Sequence, residues 1–174
     1  MANTWVMVDV EADGPSPGLY SMIELGAVIV EDGCARTFYS NLQPISDDYI
    51  HDALAVTGHT REDTMSFKDP CDAMIEFDQW LKENIKGRPM FVSDNNGFDW
   101  QFVNYYFWKF LRRNPFGHSS TNLSSIYKGL KCDTFANFKH LRKTRHTHNP
   151  VDDAKGNAEA MLTILAEMRQ NKKS

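Results

Sequence analysis

Apolar and polar positions recur along this chain with two different periods. In Trp5-Val6-Met7-Val8-Asp9-Val10-Glu11 side chains alternate as they do on a strand, so Val6, Val8 and Val10 share one face and Asp9 and Glu11 stand on the other. The next stretch, Asp13-Gly14-Pro15-Ser16-Pro17-Gly18, is a loop by composition. Residues 22–30 are almost continuously apolar, which predicts a strand buried on both faces. Glu31-Asp32-Gly33 is a hairpin signal, and residues 35–41 follow as a third strand. The opening is therefore a three-stranded meander.

The period then changes. A short helix is predicted over residues 48–55. A longer one starts at Asp69 as N-cap with Pro70 in the first helical position. Its stripe is Cys71, Met74, Phe77 (or Ile75), Leu81 and Ile85, and Gly87 supplies the stop. Residues 88–93 read as a fourth strand. Residues 98–111 read as an unusually aromatic helix, closed by Arg112 and Arg113, whose charge suits a helix C-terminus. Residues 114–120 form a turn. The last helix spans about 150–168, with Asn149 as cap, Pro150 in the first position, and a stripe of Val151, Ala154, Ala158, Met161, Leu165 and Met168. The order β-β-β-α-β-α-α predicts an α/β or α+β fold, a mixed sheet covered by helices.

Composition narrows the function classes. The 174 residues suit one domain, 1–174, with a substantial core. A net charge of −4 leaves no general polybasic signature, so any nucleic-acid role must rest on a local patch and on cations that offset the acids. The three cysteines, Cys34, Cys71 and Cys132, have no zinc-site spacing and read as reduced thiols. No apolar run approaches the roughly 20 residues needed to span a bilayer, and no secretory-type apolar region opens the sequence. The expectation is a cytoplasmic protein with no membrane partner.

Four acids stand out by position. Asp9 and Glu11 end the first strand, Asp99 opens the aromatic helix, and Asp153 lies in the first turn of the last helix, five residues after His148. Adjacent buried acids repel unless a cation neutralises them. Acids at strand ends and helix starts can converge on one sheet edge, giving the oxygen-rich cage that Mg2+ and Mn2+ prefer. Two such ions about 3.5–4 Å apart clamp the attacking and leaving oxygens of a phosphodiester. A neighbouring histidine can take a proton from water at neutral pH.

Three ordered blocks carry a family resemblance: Val8-Asp9-Val10-Glu11, Asp94-Asn95-Asn96-Gly97-Phe98-Asp99, and His148-Asn149-Pro150-Val151-Asp152-Asp153-Ala154. Together they resemble the DEDDh 3′–5′ exonucleases of the ribonuclease H-like superfamily. The resemblance implies a five-stranded mixed sheet flanked by helices and hydrolysis from a 3′ end to nucleoside 5′-monophosphates. It implies that Asp9, Glu11 and Asp153 hold the metal that activates water, that Asp9 also reaches a second Mg2+ or Mn2+ supported by Asp99, and that His148 is the general base. The rival base, His146, would place its five-residue partner at Val151, and Asp152 is the rival of Asp153. The third block is similar to that of bacterial exoribonucleases, which tips the expected substrate from DNA toward RNA. The chain departs from the family where Ala12-Asp13-Gly14-Pro15 replaces a Thr-Thr-Gly-like run and Asp94 replaces a histidine.

The expected partner is single-stranded nucleic acid with a free 3′ end. Candidate contacts are Gly14 by close backbone approach, Phe98 and Phe102 against a base, and Arg142, Lys143 and Arg145, with Lys139, against phosphates. Leu19, Tyr20 or Met22 could wedge the terminal bases. Trp100, Phe107 and Trp108 are candidates for a contact between subunits of a homo-oligomer. Glu24, buried by pattern, reads as a structural acid in preference to a neighbour of the metal. Two other classes fit the same residues: an inactive binding module, marked by a lost carboxylate, and a hydrolase of a small phosphodiester, marked by a closed pocket.

Overall fold

The computed structural model describes residues 3 to 172. Five strands form one sheet: β1 (Asn3–Ala12), β2 (Met22–Ile29), β3 (Thr37–Asn41), β4 (Arg88–Ser93) and β5 (Ser120–Asn122), in the order β3-β2-β1-β4-β5. The meander β1-β2-β3 is antiparallel, whereas β4 and β5 add in parallel on the other side of β1. The helices are α1 (His51–Val56), α2 (Arg61–Thr64), α3 (Pro70–Asn84), α4 (Asn96–Tyr106), α5 (Leu123–Lys131) and α6 (Pro150–Asn171). A π-helical turn, Phe107–Leu111, continues α4.

The alternation along β1 sorts the core into two layers. Val6, Val8 and Val10 pack with Phe77 of α3 and Phe102, Val103 and Tyr106 of α4. Met7 points the other way, into a layer with Tyr127 of α5 and Ala154, Ala158 and Met161 of α6. β2 is buried along its whole length, as continuous apolarity requires for a strand covered on both faces.

Capping follows the sequence. Asp69 accepts hydrogen bonds from the N–H groups of Cys71 and Asp72, and Asn149 accepts from Val151 and Asp152. Gly26 in β2 is a requirement of close packing: a Cβ there would lie 2.3 Å from the carbonyl carbon of Pro150. The bare backbone lets the start of α6 sit against the sheet beside β1.

Three elements go beyond the sequence expectation: the short capped helix α2, β5 and α5. β5 and α5 occupy a stretch in which the hydrophobic pattern gave a turn over 114–120 and no further element before the last helix. β5 is three polar residues, too short to show alternation. α5 is nine residues long and contains Gly129, yet Leu123, Ile126, Tyr127 and Leu130 carry the helical spacing and Asn122 caps it. Several aromatic expectations are corrected. Phe102 and Phe107 are fully buried in the core, so neither can meet a base or a second subunit. Met22 is likewise fully buried and cannot wedge a base pair.

Candidate active site

β1 carries Asp9 and Glu11 to its C-terminal end on the α6 side of the sheet. One oxygen each from Asp9, Glu11 and Asp153 lie within 4.8 Å of one another. Asp99 reaches in from the first turn of α4. Its Oδ1 accepts the Val10 N–H at 3.1 Å, and its Oδ2 is buried with no hydrogen-bond partner. The four acids named from the sequence therefore converge, and none is lost.

Electrostatics mark the cluster as strained without a counter-charge. Burial pushes the Asp9 carboxyl well above the usual range, with the charges of Asp99, Glu11, Asp153 and Asp94 adding to the rise. Glu11 is pushed up to about 7, by burial first and then by Glu24 and Asp153. Asp99 is pushed up to about 8 by burial, against the lowering effects of the Val10 N–H and of a Ser93 hydroxyl that lies nearby without forming a hydrogen bond. All-oxygen donors, mutual repulsion and an unpartnered buried oxygen on Asp99 fit a divalent cation. The acids Asp9, Glu11, Asp99 and Asp153 are the residues placed to hold it.

Asp153 is held by three hydrogen-bond donors and one imidazole contact. Oδ1 accepts from the Arg142 guanidinium at 2.9 Å and the Thr147 N–H at 3.2 Å. Oδ2 accepts from the His148 N–H at 3.1 Å and faces His146 Nδ1 at 2.7 Å. The Arg142 side chain is 8% exposed. That corrects the expectation that Arg142 grips phosphate, because its guanidinium is spent on Asp153. Gly156 makes the arrangement possible, since a Cβ there would lie 2.5 Å from Arg142 Nε.

The two histidines divide the space. His148 adopts a left-handed backbone (φ 60°), and its Nδ1 lies 3.9 Å from Glu11 Oε1. His146 sits on Asp153 instead, and the two rings stand 4.3 Å apart. Lys143 and Arg145 are exposed, and with Lys139, Arg142, Thr144 and His146 they line an open cavity of about 230 Å3 beside Asp153. Phe98 is half-buried, with its ring 5.1 Å from that of Phe102.

The departure after Glu11 resolves into packing. Gly14 is buried, and the space a side chain would need is filled by the Tyr20 ring, 2.2 Å from a built Cβ. Its close approach is to Tyr20, which corrects its assignment to substrate. Asp13 is fully buried, paired with Arg61 at 3.0 Å, and accepts from the Ser21 N–H. The extra acid thus ties the loop to α2 and stays out of the metal cluster.

Two further acids adjoin the site. Asp94, marked in the sequence only as a departure from the family block, directly follows β4 and raises the proton affinity of both Asp9 and Asp99. Glu24 faces Glu11 across the β1–β2 pair and accepts a 2.5 Å hydrogen bond from the Tyr39 hydroxyl. The apolar pattern marked Glu24 as buried, but its place opposite Glu11 depends on strand register.

A five-stranded mixed sheet with acids from β1, α4 and α6 at one edge defines the class: a ribonuclease H-like hydrolase domain with a carboxylate cluster suited to a divalent cation. Residues 6–161 match the family described as "RNase_T: Exonuclease". The chain belongs to this exonuclease family and is a 3′–5′ exonuclease. It is 35% identical over 182 residues to the 3′-5′ DNA exonuclease Cap18 of Escherichia coli, covering 97% of this chain and 95% of that protein. It is 26% identical to the PolC-type DNA polymerase III of Thermotoga petrophila, matching 96% of this chain but only 12% of the polymerase. Among solved structures, the nuclease domain of 3′hExo, a DEDDh family member bound to rAMP, superposes with a TM-score of 0.74 at 17% identity, covering 94% of this chain and 92% of that one. The E. coli ExoI–ssDNA complex in its zinc-bound form gives 0.71 at 16% identity, covering 98% of this chain and 42% of that one. At these identities the structural likenesses establish the shared fold.

Proposed function

We propose that the whole chain acts as one domain that removes nucleotides singly from the 3′ end of single-stranded DNA, releasing nucleoside 5′-monophosphates. The observation that carries this reading is the convergence of the Asp9, Glu11 and Asp153 oxygens within 4.8 Å, beside the unpartnered Oδ2 of Asp99. Two Mg2+ or Mn2+ ions held by these four acids would supply Lewis-acid stabilisation of the charge developing on the phosphodiester. His148, exposed at the mouth of the cluster, takes the proton of the attacking water through its imidazole. Arg142 fixes the orientation of Asp153, and the His148 N–H donates to the other oxygen of the same carboxylate.

Lys143, Arg145 and Lys139 offer exposed charge along the open cavity beside Asp153, a path for the phosphates of the incoming strand. Phe98 is the aromatic ring available to a terminal base. For the sugar, the relative matched over nearly its full length acts on DNA by its description, and this outweighs the motif-level leaning toward RNA. The three free cysteines suit a reducing compartment, and we place the enzyme in the cytoplasm.

The test is a digestion of matched DNA and RNA oligomers labelled at either end, with Mg2+. A 5′-labelled DNA strand is expected to give a descending ladder, with the RNA strand cut more slowly. Release of the 5′ label as a mononucleotide at the earliest times overturns the polarity. Equal or faster cutting of RNA overturns the sugar preference.

A further inference from the structure

His146 has no role in the proton transfer assigned to His148, yet it is placed with unusual care. Its Nδ1 lies 2.7 Å from Asp153 Oδ2, and its ring stands 4.3 Å from that of His148 at an angle of 66°. One nitrogen from each imidazole and one Asp153 oxygen lie within 4.8 Å of one another. Glu11 Oε1, 3.9 Å from His148 Nδ1, is within reach as a fourth donor. The side chains of His146 and His148 are 56% and 50% exposed, so an ion can enter from solvent. Arg142 and the Thr147 N–H engage Oδ1 of Asp153, whereas Oδ2 accepts only the His148 N–H and keeps its other lone pair, turned toward His146, for an ion.

This donor set differs in kind from the carboxylate cluster next to it. Two imidazoles and a carboxylate suit Zn2+, Co2+ or Ni2+, whereas Mg2+ selects oxygen donors. We propose that His146, His148 and Asp153 form a second metal site for a divalent transition ion of the zinc type. The site shares Asp153 with the carboxylate cluster, so occupation of one disturbs the other. An ion on His146 and His148 also ties down the imidazole that takes the proton, so the site is inhibitory. The inhibitory consequence rests on the roles given above to His148 and Asp153; the binding does not.

Calorimetric titration of Zn2+ into the intact, Mg2+-free protein separates the two sites, with the visible spectrum of bound Co2+ as a second readout. Binding to the wild type is expected to weaken by about tenfold or more in His146→Ala, since even the outer partners of metal ligands are worth about 10–100-fold. It is expected to survive in Asp9→Asn, which alters the carboxylate cluster alone. Zinc affinity unchanged in His146→Ala, or lost in Asp9→Asn with His146→Ala unaffected, overturns the proposal. His146→Gln repeats the test should the alanine form fail to fold. In a Mg2+-supported digestion the half-inhibitory zinc concentration is expected to rise by the same factor in His146→Ala, and an unchanged value overturns the inhibitory role. A protein that cuts no strand at all defeats the nuclease reading, while calorimetry still decides the zinc site.

Discussion

At the residue scale, the molecule concentrates like charge that it does not neutralise by itself. Asp9, Glu11 and Asp99 all hold their protons more tightly than free carboxyls do, chiefly because burial penalises the charged form. Their folded values, about 7 for Glu11 and about 8 for Asp99, lie above the unfolded range near 4. Between those limits the folded state binds more protons than the unfolded state, so stability falls as pH rises. The metal-free protein is expected to lose thermal stability steadily from about pH 5 to pH 8. Added Mg2+ is expected to restore more at pH 8 than at pH 5, because it binds the ionised acids. A pH series of melting curves with and without Mg2+ checks both signs; a midpoint rising toward pH 8 without metal contradicts them.

Replacing one member of the cluster separates stability from function. Asp99→Asn removes a repulsive charge from a buried position, so its metal-free melting midpoint at pH 8 is expected to rise, by roughly 2–4 °C for each kcal/mol relieved. Its exonuclease rate is expected to fall at least about 100-fold, as a metal ligand is lost. Melting and single-turnover digestion of the same preparation check the pair. The convergence of the acids and the placement of His148 beside Glu11 were legible in the sequence because the three blocks fall, in order, at strand ends and helix starts. The roles of Phe102, Arg142 and Gly14 were not, because only tertiary packing buries Phe102 among β1 residues, turns Arg142 onto Asp153 and lays Tyr20 over Gly14.

At the element scale, the site depends on how closely α6 approaches the sheet. Gly26 on β2 sits opposite Asp9 of β1 and directly under the first turn of α6. Gly26→Ala would drive a methyl group into the Pro150–Val151 backbone, a clash with main chain that no rotamer relieves. It is expected to destabilise by about 1–3 kcal/mol, in the range of core overpacking. Activity is expected to fall further than stability accounts for, since Asp153 moves with α6. Comparing denaturant midpoints with rates checks whether the two losses separate. β1, β2, α3 and α6 were readable because each is long, strongly periodic or well capped. β5 and α5 were not, because three polar residues show no alternation, and α5, although Leu123, Ile126, Tyr127 and Leu130 keep helical spacing, is only nine residues long with Gly129 near its end.

At the scale of the whole molecule, a net charge of −4 coexists with a basic rim beside the acidic cluster. Affinity for a single strand is expected to fall with salt, and Lys143→Ala and Arg145→Ala are each expected to lower the magnitude of the log–log salt slope by about 0.7. Binding measured over a salt series with Ca2+ in place of Mg2+ checks this, and an unchanged slope moves the strand to another face. We propose that acids from β1, α4 and α6 assemble one centre for two divalent ions. Electron paramagnetic resonance of Mn2+ bound to the protein with a nucleoside 5′-monophosphate tests it most directly. The expected result is the spectrum of two spin-coupled ions per chain, lost in Asp9→Asn. A spectrum of free aqueous Mn2+, or of bound ions indifferent to Asp9, would contradict it.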